Sequence, residues 1–209
     1  MKRISYYTKL LVGAVMMLSV VSCNDFINVQ PAGQVDETEQ FSSIRGFRNA
    51  MYGAYGSMAT SDLYGGNLGF GFVDQLGQIF GYDNSSETSY FVGQYDYMRS
   101  DVRSIVDAIW TKQYQVIAYV NNIIDQTEHA KFEHAELPLM RGECYGLRAF
   151  MHFDLVRLFA EDYGQSNETT RGIPYSTSFD LNNKKLLTLH KTYEAILSDL
   201  DKAEELLKN

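Results

Sequence analysis

The sequence predicts an all-α fold of paired antiparallel helices of tetratricopeptide-like type, with one long loop rich in aromatic residues and glycine. Two observations support this prediction. Apolar residues recur every three or four positions in several segments of about 20 residues, and little of the chain resembles a strand. With 45% apolar residues, the 209-residue chain can also bury one core. Consecutive amphipathic helices of this length typically pair in antiparallel fashion.

The N-terminus has the features of an export signal that ends at a lipid-attachment cysteine. A basic start precedes an apolar run from Leu10 to Val21, which is too short to span a bilayer but fits a secretory signal. Ser22 then precedes Cys23, as in the lipobox of a bacterial lipoprotein. We therefore predict that residues 1–22 are removed and that acyl chains on Cys23 anchor the protein stably. The alternative is an ordinary signal peptide followed by a chance cysteine.

Residues 23–37 are predicted to form a tether, because they are polar and show no helical period. The folded helical domain is then expected to cover residues 38–209. Its first predicted helix starts at Thr38 and places on one face the apolar residues Phe41, Ile44, Phe47, Met51, Ala54, Tyr55 and Met58.

The segment from Asp62 to Tyr97 differs from the rest of the chain and is predicted to be the long loop. It holds nine aromatic residues, seven glycines, five acids and no Lys or Arg, and no single period extends across it. A loop of this length inside a compact domain is unusual and tends to carry function.

Regular helices resume after this loop. Three apolar stripes, one break and one polar loop are predicted, with Thr188 as the cap of the last helix: a stripe over Arg103–Gln126, a break over His129–Pro138, a stripe over Met140–Phe159, a polar loop over Glu161–Asp180, and a stripe over Leu189–Leu207. Trp110 and Cys144 lie on apolar stripes and are predicted to belong to the core.

A strip of charged residues lies along the helix that ends near Phe159. It consists of Arg141, Glu143, Arg148, Asp154 and Arg157. We interpret these residues as structural ion pairs between helices, and Arg157 can also pair with Glu161 four residues later.

Composition and motifs exclude several classes of function. The formal net charge of −8 argues against a nucleic-acid binder, which normally has a basic surface. The sequence contains no Gly-x-Ser-x-Gly, phosphate-loop or calcium-loop pattern. His129 and His134 lack metal-ligand spacing, and no pair of carboxylates has the arrangement expected of a glycosidase. No catalytic residue, metal ligand or cofactor is predicted.

Several motifs occur in the order found in one family. They are Cys23-Asn24-Asp25-Phe26 with Pro31 after the lipobox, Trp110-x3-Tyr114 followed by Asn121-Asn122, the long Arg141–Phe159 helix with Leu147-Arg148-Ala149-Phe150 and Phe153-Asp154-Leu155-Val156-Arg157, then Gly172-Ile173-Pro174 and Asp199-Leu200-x2-Ala203. The chain resembles the SusD/RagB family along its whole length.

This resemblance implies a cell-surface lipoprotein of a Gram-negative outer membrane. SusD-like proteins bind glycans, or in some cases peptides, and cover a TonB-dependent transporter of the SusC type; they are binding proteins, not enzymes. Family members usually have several hundred residues, so this chain resembles their N-terminal part alone. We therefore expect the apolar faces of the last two helices to be partly exposed in the chain by itself.

Under this resemblance, the aromatic loop is the candidate glycan site. Sugar binding requires flat apolar faces beside hydrogen-bonding groups, and tyrosine offers both. The candidate ligand-binding residues are Tyr64, Asn67, Asp83, Tyr90 and Tyr95. The absence of Lys and Arg from the loop favours an uncharged polysaccharide. The alternatives are that these rings pack on the helices or against the transporter, and that the chain is a helical scaffold without glycan contact.

Overall fold

The computed structural model describes residues 36–80 and 87–208. Within these ranges the elements follow in the order α1 (Glu37–Gln40), α2 (Ile44–Met58), α3 (Phe72–Leu76), α4 (Glu87–Gly93), α5 (Ser100–Glu128), α6 (Glu136–Phe159), a 3-10 turn (Tyr163–Gln165), β1 (Arg171–Pro174), β2 (Leu186–Thr188) and α7 (Leu189–Leu207). From Thr38 onward the described chain is one compact unit. The predicted signal peptide and Cys23 lie outside the described residues.

The helix predicted to start at Thr38 is divided into α1 and α2. Ser43 is the N-cap of α2, and its extended backbone interrupts the helix while its hydroxyl accepts the Gly46 N–H at 3.4 Å. The Gln40 amide also donates to the Gly46 carbonyl at 2.8 Å. After this turn, α2 buries Phe47, Met51, Ala54 and Met58, the predicted stripe.

Helices α5, α6 and α7 form the antiparallel pairs that the sequence predicts. Trp110, near the start of α5, packs against Phe159 at the end of α6, with ring centroids 4.8 Å apart. Gly146, in the first half of α6, lies opposite Ala203 near the end of α7. Trp110 is half-buried on the main core and also contacts Tyr114, which confirms its packing role.

Helix α2 is parallel to α6, because contacts between them keep a constant offset. Arg48 pairs with Glu136, and seven residues later Tyr55 donates to Glu143. A parallel pair separated by an antiparallel helix is the arrangement of stacked helical repeats. The sulfur atoms of Met51 and Cys144 lie 3.3 Å apart in the core between these helices. Cys144 is fully buried, which confirms the prediction that it is a core side chain, and this burial raises the pKa of its thiol.

Helix α6 begins earlier than the predicted break allows. The sequence predicts a break that extends to Pro138, but the first turn of the helix already starts at Glu136. Proline is tolerated there because the first N–H groups of a helix have no intrahelical partner. The carboxylate of Glu136 also suits the positive end of the helix dipole.

A two-stranded antiparallel sheet forms where the sequence predicts no strand. Strand β1 lies within the predicted polar loop, and β2 lies just before α7. Arg171 is opposite Thr188, and Pro174 is opposite Leu186. The strands are held from outside, since the Leu189 N–H donates to Thr170 O at 2.8 Å and Ile173 is fully buried. Thr188 also caps α7, as predicted, by accepting the Lys191 N–H. Strands this short and dependent on tertiary contacts leave no period in the sequence.

Gly172 allows β1 to approach the start of α7 closely. A Cβ at this position would lie 2.9 Å from the Thr188 carbonyl oxygen and 3.0 Å from Leu189 Cα, both of which are backbone atoms. We expect Gly172→Ala to lower the free energy of unfolding by about 1–3 kcal/mol, measured by urea denaturation. Gly56→Ala is the matched control, because its Cβ would meet nothing within 4 Å. That change should stabilise α2 by about 0.5–1 kcal/mol, and equal losses in both variants would contradict the packing argument.

In its described residues, the segment from Asp62 to Tyr97 is not one long loop but contains two short helices, which corrects the sequence-based expectation. Its described residues include α3 and α4, and Phe72 and Val92 join Val102 and Ile109 of α5 in a second buried cluster. These helices are too short to show a period of their own. Their positions depend on the apolar surface at the start of α5 rather than on local sequence.

A buried ion pair connects α6 to α7. The guanidinium of Arg148 donates to both carboxylate oxygens of Asp199 at 2.7 and 2.8 Å, and to the side-chain oxygen of Asn121 on α5 at 2.8 Å. The Tyr175 hydroxyl adds a fourth bond, to Asp199, at 2.6 Å. Burial alone would raise the pKa of Asp199, but the bonds from Arg148 hold it below its ordinary value. The predicted ion pairing between helices is thus confirmed for Arg148.

His152 extends this buried network as a neutral imidazole. Its Nδ1–H donates to the Arg148 carbonyl at 2.8 Å, and its Nε2 accepts the Ser176 N–H at 3.0 Å. The ring stacks on Tyr175 with centroids 3.9 Å apart. Both nitrogens are therefore engaged in one tautomer. Burial lowers the pKa of His152 to about 4.

Arg157 does not form the predicted pair with Glu161. Its guanidinium instead contacts Asp154, three residues earlier on the same helix. Helix α6 ends at Phe159, so Glu161 lies past the last helical turn, where i,i+4 spacing no longer brings side chains together.

Apolar side chains of α6 and α7 are exposed, as expected from the sequence. They are Leu139 (39%), Phe150 (45%), Phe153 (38%), Leu197 (59%), Leu200 (44%) and Leu207 (51%). Among the described residues, no helix combines the length and apolar content needed to cross a bilayer.

Candidate functional site

Tyr64, the first predicted ligand residue, is largely engaged with the fold. Its hydroxyl donates to Asp154 at 2.8 Å, and its ring stacks on Phe150 at 5.1 Å. Burial and the neighbouring Asp154 carboxylate raise the pKa of Tyr64. Only the remaining accessible part of this ring is available to a ligand.

Of the next two predicted ligand residues, Asn67 and Asp83, the structure describes only Asn67. Asn67 is half-buried in the turn before α3, where its N–H donates to Ser61 O at 2.9 Å and its carbonyl accepts the Val73 N–H at 3.1 Å. Its backbone therefore shapes the turn. Asp83 lies outside the described residues.

Tyr90 and Tyr95 lie on and just after α4. Tyr90 is half-buried with its ring edge-on to Phe91 at 5.2 Å. Tyr95 is 50% exposed, and its hydroxyl donates to the Leu76 carbonyl at 3.0 Å. Of the predicted residues that the structure describes, Tyr95 offers the most accessible ring.

The turns after α3 and α4 hold each other in place. Tyr95 reaches Leu76 O, and in return the Gln78 amide donates to Gly93 O at 3.1 Å. Both residues have left-handed backbones, with φ of 53° at Gln78 and 58° at Tyr95. This conformation costs a non-glycine residue roughly 1–2 kcal/mol. Such strain persists only where surrounding contacts determine it, and it is frequent at binding sites.

Around these two turns lies a group of exposed apolar side chains, here termed the aromatic patch. It consists of Ile79 (68%), Phe80 (58%), Tyr95 (50%), Tyr97 (45%) and Met98 (82%). Groups of exposed apolar side chains commonly mark interaction surfaces. The sequence predicted the segment through its composition but selected only Tyr95 from this group.

Two cavities lie away from the predicted ligand residues, at the connection between α5 and α6. One has a volume of about 510 Å³ and is lined in part by Thr127, Phe132 and His134. The other, of about 290 Å³, shares Phe132 and adds Lys131. Tyr64, Asn67, Tyr90 and Tyr95, the predicted ligand residues that the structure describes, line neither cavity.

A serine, a histidine and a glutamate lie close together near the start of α7. Ser166 Oγ is 3.2 Å from His190 Nε2, and His190 Nδ1 is 3.5 Å from a Glu168 carboxylate oxygen. This order of contacts resembles a hydrolytic triad. However, the Ser166 hydroxyl donates its proton to the Tyr163 carbonyl at 2.7 Å, and the Glu168 side chain is 90% exposed. The hydroxyl proton is therefore not directed at the imidazole, and the carboxylate is not held in place as a triad requires.

Sequence reasoning missed the surroundings of His190. The sequence predicts Tyr193 on an apolar stripe and Tyr163 in a polar loop, yet the centroids of their rings are 4.8 Å apart. The spacing of three residues indicates that His190 and Tyr193 share one face of a helix. Their contact with Tyr163, however, depends on how the connection between α6 and α7 folds back. Among the described residues, no group of three or more His, Cys, Asp or Glu side chains is placed to hold a metal ion.

Comparisons with known proteins agree with this architecture. A family model described as starch-binding and associating with the outer membrane matches residues 47–209. SusD-like protein P2 of Formosa agariphila is 25% identical over 203 residues, which cover 92% of this chain but only 37% of that protein.

Solved structures of SusD superfamily proteins from Bacteroides thetaiotaomicron and Bacteroides vulgatus are also similar. Each is 21% identical, with TM-scores of 0.62 and 0.65, over 78% of this chain and 37% of theirs. At this identity the likeness concerns the fold, and it confirms the predicted helical, tetratricopeptide-like architecture.

Proposed function

Because this chain belongs to the SusD-like family, whose members are described as starch-binding and associating with the outer membrane, we propose that it captures uncharged oligosaccharides without cleaving them. The observation that carries the proposal is the family match across residues 47–209. In this proposal, acyl chains on Cys23 anchor the protein to the outside of the outer membrane. A SusC-like TonB-dependent transporter then receives the captured glycan.

The aromatic patch supports sugar capture. Its accessible rings can cover the C–H faces of sugars, while hydroxyl and amide groups nearby can bond to sugar hydroxyls. The two linked turns hold Tyr95 in one orientation, which lowers the entropy lost when a ligand binds. The predicted set of Tyr64, Asn67, Asp83, Tyr90 and Tyr95 remains a proposal, with Tyr95 as its most accessible aromatic member among the described residues.

Binding without hydrolysis is favoured by the chemistry of the group formed by Ser166, His190 and Glu168. Since the Ser166 proton is donated to a backbone carbonyl, the hydroxyl is not activated as a nucleophile. A glycosidase requires two carboxylates that face each other across a cleft, whereas the predicted ligand residues include a single carboxylate, that of Asp83.

Retardation in native gels that contain a polysaccharide tests the proposal. The protein should migrate more slowly with at least one of starch, a β-glucan, a xylan or a mannan. Tyr95→Ala should lower the affinity for the polysaccharide, measured from this retardation, roughly tenfold, which corresponds to about 1.4 kcal/mol of binding free energy. Tyr52→Ala is the matched control, because Tyr52 is an exposed tyrosine on α2, outside the aromatic patch. Unchanged migration of the wild-type protein with every polysaccharide would refute glycan capture.

A helical scaffold is the second candidate function. The exposed leucines of α7, Leu197, Leu200 and Leu207, favour it, because such apolar faces commonly bind other helices. Under this alternative the chain joins a surface nutrient-uptake complex without touching glycan. Co-purification with the transporter, combined with no response to any polysaccharide, would support the scaffold over glycan capture.

A further inference from the structure

Four rings from three separate parts of the chain form a continuous row on the surface. Phe153 of α6 meets Tyr193 of α7 at 6.4 Å, Tyr193 meets Tyr163 of the 3-10 turn at 4.8 Å, and Tyr163 meets His190 of α7 at 5.0 Å. This ring row contains none of the residues that the sequence predicted for ligand binding.

The ring row is accessible enough to accept a ligand. Tyr163 is 49% exposed and Phe153 is 38% exposed, while Tyr193 and His190 are half-buried. Because each ring touches the next, the row is positioned by its own packing. A surface of several fixed aromatic rings suits a ligand with repeating apolar faces, and tyrosine hydroxyls add donors and acceptors at the ring edges.

Polar groups border the ring row at both ends. At one end, His190 lies between Ser166 Oγ and the Glu168 carboxylate, as described above. At the other end, the Arg157 guanidinium lies 5.2 Å from the Phe153 ring centroid and is neutralised by Asp154. The Glu168 carboxylate is the most exposed charge among these groups, at 90%, whereas the Arg157 side chain, 54% exposed, is paired with Asp154. An anionic ligand such as a sulfated glycan would be repelled there, whereas sugar hydroxyls can donate to this carboxylate.

We propose that the ring row is a second saccharide-binding site, which takes an uncharged oligosaccharide of more than one sugar unit. The inference rests on the proposed glycan capture and assigns it an additional site, separate from the aromatic patch. Tyr163 is its central ring, because it contacts both Tyr193 and His190.

The test compares three variants of the full chain in the same polysaccharide gels. Tyr163→Ala should lower the affinity for the best uncharged polysaccharide at least fivefold. Tyr163→Phe, which keeps the ring, should stay within twofold of wild type. Tyr52→Ala should have no effect. Thermal unfolding of each variant shows whether it is folded. If Tyr163→Ala does not fold, His190→Ala replaces it with the same expected loss, because it removes the ring that contacts Tyr163.

The possible results separate the two proposals. If no polysaccharide retards the wild-type protein, glycan capture fails and the second site fails with it. If wild type is retarded and Tyr95→Ala alone weakens binding, glycan capture stands and the ring row is refuted as a site. Binding of a sulfated polysaccharide that depends equally on Tyr163 would overturn the assignment to uncharged sugars. Loss of retardation in Tyr163→Ala, with Tyr163→Phe unaffected, would establish the ring row.

Discussion

Replacing Asp199 by asparagine is expected to lower the free energy of unfolding by about 3–5 kcal/mol. The substitution keeps the size of the side chain but removes the charge that compensates Arg148, whose side chain is only 4% exposed. A lone buried guanidinium is costly, because the desolvation that the ion pair offset remains. A loss of this size is a large fraction of the stability of a typical domain. Urea denaturation followed by circular dichroism measures it.

Asp201→Asn provides the matched control. Asp201 lies two residues further along the same helix but is exposed, so its replacement should change the free energy of unfolding by less than about 0.5 kcal/mol. The double variant Arg148→Met with Asp199→Leu removes both charges and should recover much of the lost stability. Equal small effects of Asp199→Asn and Asp201→Asn would show that the ion pair is not buried as described.

Acidification is expected to destabilise the protein through His152. The folded pKa of about 4 lies below the ordinary value of 6.5, so between these two values the unfolded chain binds a proton that the folded chain does not. Stability from this group is therefore complete above about pH 6.5 and falls as the pH approaches the folded pKa. Between about pH 7 and pH 4.5 the loss is on the order of 2 kcal/mol.

Urea denaturation at a series of pH values measures this loss. His152→Gln, which cannot be protonated, should be less stable at neutral pH but should show a flatter dependence over the same range. His134→Gln is the control, because the exposed His134 lies outside the buried network, and this variant should retain the wild-type slope. Asp199 contributes mainly below its ordinary pKa of 3.8, outside the measured range. The same slope in wild type and His152→Gln would rule out the buried imidazole as the cause.

The long helices could be predicted from the sequence because their burial follows the helical period. The stripe from Ile109 through Val120 to Ile124 is buried as expected, and Thr188 caps α7 as its residue type suggests. Strand β1 could not be predicted, because it depends on backbone atoms at the start of α7 and on the space that Gly172 leaves. The division between α1 and α2 likewise follows from contacts of Gln40 and Ser43 that the apolar pattern does not contain.

The sequence predicts the segment that holds the candidate site, but not which of its residues are accessible. Composition identified residues 62–97 as unusual, but it did not distinguish rings that pack from rings that remain accessible. Tyr64 and Tyr95 have the same side chain and similar surroundings in sequence. Their difference arises because Tyr64 meets Asp154 of α6, 90 residues away, whereas Tyr95 bonds to a neighbouring turn. The ring row was missed for the same reason, since its members come together only after the chain between α6 and α7 folds back.

The separation of the described core into two clusters has a consequence for how the molecule fluctuates. The smaller cluster has four buried side chains, so the segment that carries Tyr95 should open at a lower free energy than the long helices. Its amides should then exchange their hydrogens with solvent before those of α5 and α6 do. A sugar that binds only the closed segment would suppress the opening, and the slower hydrogen exchange of these amides would report its binding.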